Sequence, residues 1–149
     1  MSYYMRFITT DERETSLTML EEFFKQSDPA YSIVDVQAHA PESGTLTFNN
    51  ALYGVIEINK PEDGLFDDEI QELKESLEDA EGKGKKIVSQ VLRKARAIIA
   101  VQVLFQDRQP EDTLSKIDPL WHWLFENRKG LLQVDAEGYY DGTQLILEA

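Results

Sequence analysis

The sequence predicts a single α+β domain over residues 1–149: a mixed, mostly antiparallel sheet with about four helices, in the order β-α-β-β-β-α-α-β-α-β-β. Three observations predict it. Short aromatic and β-branched runs recur between turn signals, as in YYMRFIT (3–9) and LYGVIEIN (52–59). Between them lie segments whose apolar residues recur at three and four, the spacing of a helix face. A chain of 149 residues, 42% hydrophobic and free of repeats or linkers, is long enough to bury one core without disulfides.

The elements follow in order. Strand 3–9 places Tyr3, Met5 and Phe7 on one face and Arg6 on the other. Asp11 leads into a helix over 12–27, with Leu17, Leu20, Phe23 and Phe24 on its apolar face, and Pro29 stops it by disfavouring helical geometry at Asp28. Strands are expected at 31–37, 45–49 and 52–59. Asn49-Asn50 suits a hairpin between the last two, because asparagine tolerates positive φ. In the third of these strands, Leu52, Ile56 and Ile58 share one face and Tyr53 and Glu57 the other.

Helices over 66–80 and 84–96 come next, the first with the narrow stripe Ile70, Leu73, Leu77, Ala80. AIIAVQVLF (97–105) reads as a central strand covered on both faces. Asp118-Pro119 suits a helix start, with a kinked helix from near 112 as the alternative, and Gly130 suits its C-cap. LLQVDA (131–136) and TQLILE (143–148) close the chain as strands.

EDAEGKGKKI (78–87) joins the two middle helices. Residues 62–81 carry ten acids and one lysine; residues 83–96 carry six bases and no acid. The stretch is not a phosphate-binding loop. Its glycines are only two apart, no hydroxyl residue follows Lys85-Lys86, and a helix rather than a strand precedes it. Gly82 and Gly84 instead suit the left-handed turn that ends a helix, and the lysines beyond them favour its negative end.

Composition excludes several functions. With no cysteine, the chain has no disulfide scaffold, thiol nucleophile or cysteine-ligated metal. A net charge of −13 argues against binding a nucleic-acid backbone; its plainest reading is that excess acid keeps the chain soluble, and a basic protein partner or a homo-oligomer is the expectation beside it. The longest apolar run is too short to span a bilayer, and MSYYMRFITTDERE lacks the pattern of a secretory signal, so a cytoplasmic protein is expected. No residue pattern implies a cofactor.

No catalytic motif is present. His39 and His122 lack the spacing of paired metal ligands. Asp135, Glu137 and Asp141 lie close enough to hold a hard cation, but ordinary turn chemistry accounts for Asp and Gly there without one. Strand parity gives the strongest set: Arg6, Tyr53, Glu57, Gln102 and Gln133 are polar residues in mid-strand that would line one sheet face. Trp123 lies roughly 200° around its helix from Trp121 and is a candidate interface anchor. The expected function is a small acidic binding or regulatory domain acting through protein contacts. The alternative is a small-molecule-binding domain or hydrolase on the polar sheet face, with Arg6 holding an anion and Glu57 as base; a third is a metal-dependent activity at 135–141.

Overall fold

The computed structural model describes residues 2–39 and 41–149. Its strands are β1 (Tyr4–Thr9), β2 (Tyr31–Gln37), β3 (Glu42–Phe48), β4 (Ala51–Asn59), β5 (Ala97–Val103), β6 (Gly130–Val134), β7 (Gly138–Asp141) and β8 (Gln144–Leu147). The helices are α1 (Leu17–Ser27), α2 (Phe66–Ser76), α3 (Gly84–Lys94) and α4 (Pro110–Asn127). All strands join one sheet in the order β2-β3-β4-β5-β1-β6-β7-β8, and every pairing is antiparallel.

The α+β architecture is therefore the one the sequence predicts, with helices on both faces of the sheet. Side-chain alternation along each strand divides the apolar residues between two cores. On one face Phe7, Ile56, Ile58, Ile99 and Val101 meet Leu20 and Phe24 of α1 and Ile117, Leu120 and Leu124 of α4. On the other, Ile8, Ile98, Leu131 and Tyr139 meet Phe66, Ile70 and Leu73 of α2 and Val88 and Leu92 of α3. β5 feeds both cores, which explains its near-continuous apolar sequence. Each fully buried Ile or Leu of these sets stabilises the fold by about 1.5–3 kcal/mol relative to exposure.

The β3–β4 hairpin turns at Asn49 and Asn50, with φ of 50° and 66°. Both central residues are left-handed, the geometry that matches strand twist and that asparagine tolerates. One register shift follows. Leu46 pairs with Gly54 but Thr47 pairs with Leu52, so Tyr53 is the extra residue of a bulge. The bulge corrects the predicted parity: Tyr53 is buried with Ile56 and Ile58, and Leu52 is exposed.

Several boundaries also differ. α1 begins at Leu17, capped by Ser16, whose Oγ accepts from Met19 N at 3.3 Å. Residues before it are held elsewhere, because Arg128 donates to Thr15 Oγ1 and the Glu14 carbonyl. α4 runs unbroken through Pro119, so Asp118 is not its start; burial of Thr113, Ile117, Leu120 and Trp121 outweighs the lost backbone bond. Arg128 is the C-cap of α4, and Gly130 opens β6 instead of capping the helix. The segment 135–141 holds a strand of its own, β7, between the two strands expected there.

The 78–87 stretch is a joint between helices. α2 ends at Ser76, and Lys85 Nζ donates to the Glu78 carbonyl at 3.3 Å. Gly82 has φ of 139° but lies past Leu77, the right-handed C-cap of α2, so it does not end that helix; Gly84 is the first residue of α3, and its requirement is closeness rather than handedness. A Cβ there would lie 2.0 Å from the Ile146 carbonyl oxygen of β8. Among the described residues, no ion pair joins the acids of α2 to the bases of α3.

Candidate functional site

The sheet register builds a row across four strands on the α2 side. Glu57 of β4 pairs with Ala100 of β5, Ala100 with Arg6 of β1, and Arg6 with Gln133 of β6. The adjacent row is Val55, Gln102 and Tyr4. Ala100 is the small member, and the gap it leaves between longer side chains forms the floor of a cleft of about 480 Å³. α2 supplies the roof, since its first turns bury Phe66 and Ile70 while Asp68, Glu69 and Glu72 face the opening.

Four carboxylates line this cleft: Glu57, Asp68, Glu69 and Glu72. Among the described residues, the lining carries one cation, Arg6. Arg6 is already engaged. Its Nε donates to Glu69 at 2.9 Å, and its Nη1 donates to Gln133 at 2.7 Å and to Asp135 at 3.0 Å. The ring of Tyr4 lies 4.9 Å from the guanidinium carbon. Asn59 is 2% exposed and donates its Nδ2 to Glu69 at 2.9 Å. A carboxylate can only accept, so the amide orientation is fixed. Its buried Oδ1 is left without a partner.

The Arg6–Glu69 pair borders a second cavity of about 250 Å³, with Gln133, Asp135, Ser76 and Tyr139 in its wall. Tyr139 is 1% exposed, and burial pushes its hydroxyl up to about 12. Ser76 donates to the Leu73 carbonyl at 2.7 Å, and the Tyr139 hydroxyl has no hydrogen-bond partner. The unfolded tyrosine ionises near pH 10. The folded state therefore holds its proton more tightly, and this part of the stability is intact below about pH 10 and falls as pH rises toward about 12. Tyr139→Phe is expected to change stability at neutral pH by no more than about 1 kcal/mol, since no hydrogen bond is lost. It should also flatten the alkaline limb, as urea unfolding across that window will show.

The predicted residues are thus partly assembled. Arg6, Glu57 and Gln102 line the main cleft, and Gln133 joins it through Arg6. Tyr53 is on the opposite face, where the Arg108 guanidinium stacks 3.9 Å from its ring. Trp123 is half-buried, covered by Phe23 of α1 at 6.0 Å between ring centres and by Arg128 at 5.2 Å, so it is not a free-standing anchor. The expectation that Arg6 holds an anion is corrected by its partners: two carboxylates neutralise it, and more carboxylates surround it. At 135–141 the acids are dispersed. Asp135 serves Arg6, while Glu137 accepts from the Tyr3 hydroxyl at 3.1 Å and the Tyr140 hydroxyl at 2.5 Å. His39 and His122 are both exposed, on a loop and on α4.

Sequence reasoning missed Asn59, Asp68, Glu69 and Glu72. Asn59 carried the parity of Glu57 but stood at a strand end. Glu69 and Glu72 follow Asp68 by one and four residues, a spacing that puts the three acids on one side of α2.

No protein-family model matches the chain, and no match is found among curated proteins or solved structures. Among the described residues, no helix is long and apolar enough to cross a membrane.

Proposed function

We propose that this protein is a binding domain whose protein partner presents lysine or arginine side chains to the acidic cleft under α2. The observation that carries this reading is the charge of the lining: four carboxylates against one arginine that is already paired. A cation entering there meets fields that the protein leaves uncompensated, in a recess where screening is weaker than on open surface. The other seven acids of 62–81 extend the negative charge beyond the cleft and would steer a basic partner toward it. Arg6 acts as a strut that keeps Glu69 and Asp135 in place.

The test is calorimetric titration with a polylysine peptide at low and physiological salt. Replacing Glu57, Asp68 and Glu72 together by their amides should weaken binding at least about tenfold, or about 1.4 kcal/mol. A control triple, Glu78→Gln, Asp79→Asn and Glu81→Gln, removes the same charge from exposed positions outside the cleft. It should weaken binding far less. Equal losses in the two triples would mean that general acidity, not the cleft, attracts the peptide, and would overturn the proposal.

A further inference from the structure

On the opposite face of the sheet, α4 does not cover the whole width of β1, β6 and β7. A groove of about 640 Å³ is left along its side, within the size range of small-molecule sites. Four aromatic residues contribute to its walls: Tyr3, Trp121, Phe125 and Tyr140. Met5, Leu132 and Val134 make the floor apolar. It shares no lining residue with the acidic cleft.

Three of its polar groups converge, while Asp118 and His122 line it from α4. Glu137 stands at the rim with one carboxylate oxygen accepting from the Tyr3 hydroxyl and the other from the Tyr140 hydroxyl. These bonds tie the two ring ends to one negative charge. Asp118 adds a second carboxylate from α4, and among the described residues the lining has no lysine or arginine. Trp121 is 5% exposed, yet its indole N–H has no hydrogen-bond partner.

Aromatic faces attract cations through their quadrupoles, most strongly where water is excluded, and quaternary ammonium groups are held this way by aromatic cages. An anion such as a fatty acid would meet Glu137 and Asp118 instead. From the aromatic walls, the apolar floor and the two rim carboxylates, we infer that the groove binds an apolar organic cation, an alkyl- or arylammonium. Its charge sits by Glu137, where the hydroxyls of Tyr3 and Tyr140 meet, and its hydrocarbon part lies on Met5, Leu132 and Val134. This site is independent of the cleft under α2.

Three probes of similar size test it: benzyltrimethylammonium, benzyl alcohol and phenylacetate. Each is titrated into the intact protein and followed by two-dimensional NMR, with the Trp121 indole signal assigned by comparison with Trp123→Phe. The ammonium should bind saturably, shift the Trp121 indole resonance, and bind at least about tenfold more tightly than the alcohol, while phenylacetate leaves the spectrum unchanged. Glu137→Gln should reduce ammonium affinity about tenfold, and the charge-matched Glu78→Gln should leave it intact. Equal binding of all three probes, no movement of the Trp121 signal, or full affinity in Glu137→Gln would each overturn the inference.

Discussion

Gly138→Ala should lower unfolding free energy by about 3–5 kcal/mol, a large part of the roughly 5–15 kcal/mol available to a domain of this size. Two costs coincide at this position. Gly138 has φ of 135°, a conformation that L-residues with a side chain rarely adopt. A Cβ there would also lie 2.0 Å from the Leu147 carbonyl oxygen and 2.9 Å from the carbonyl carbon. Those are backbone atoms, so no rotamer change relieves the contact, and β8 would have to move off β7. Gly142 is the internal control. Its φ is 63°, but a Cβ on it would meet nothing within 4 Å, so Gly142→Ala should cost only the strain of about 1–2 kcal/mol. Urea unfolding of the two variants separates strain from collision. Equal midpoints would mean that β8 is not packed against β7 at Gly138.

That strand pair also marks where the sequence was hard to read. GYYD carries glycine and aspartate at its ends, so it resembles a turn, and its strand identity comes from pairing with β6 and β8. The length of α4 was ambiguous for a related reason: Asp118-Pro119 reads either as a helix start or as a kink in a helix from near 112, and the buried stripe across Pro119 decides for the longer helix. By contrast, β1 and β5 were legible because alternation and burial are fixed by the two apolar layers. The β3–β4 hairpin was legible because Asn49-Asn50 is itself a turn signal.

The sites divide along the same line. Parity alone put Arg6 and Glu57 on faces that prove to be shared, since strand alternation survives any arrangement of the sheet. Tyr53 failed because one bulge residue reverses parity; Gly54 beside it was the signal, since a glycine inside a strand often marks a bulge. The roof of the cleft was out of reach, because Asp68, Glu69 and Glu72 look like an ordinary solvated helix face until α2 is laid over β4, β5 and β1. The aromatic groove was hidden more deeply. Tyr3 and Tyr140 lie near opposite ends of the chain and meet only through Glu137.

Arg6→Met is expected to separate stability from binding in opposite directions. The side chains of Arg6 and Glu69 are 17% and 18% exposed, and that of Asp135 is 32% exposed. Removing the cation leaves Glu69 and Asp135 without their counter-charge in a partly buried setting. The loss should be about 2–3 kcal/mol, below the full cost of breaking a completely buried pair because water still reaches these groups. Glu69→Gln in the same background should recover part of it, giving a coupling of about 1 kcal/mol or more in a double-mutant cycle. Glu57→Gln should change stability by less than about 0.5 kcal/mol, since Glu57 takes part in none of the Arg6 ion pairs. Binding of the polylysine probe should move the other way: Arg6→Met makes the cleft more negative and should tighten it, whereas Glu57→Gln should weaken it. A cleft that serves only to hold the sheet to α2 has no reason to show that opposition. Parallel losses of stability and peptide affinity in Arg6→Met would assign Arg6 and its carboxylates to the fold alone.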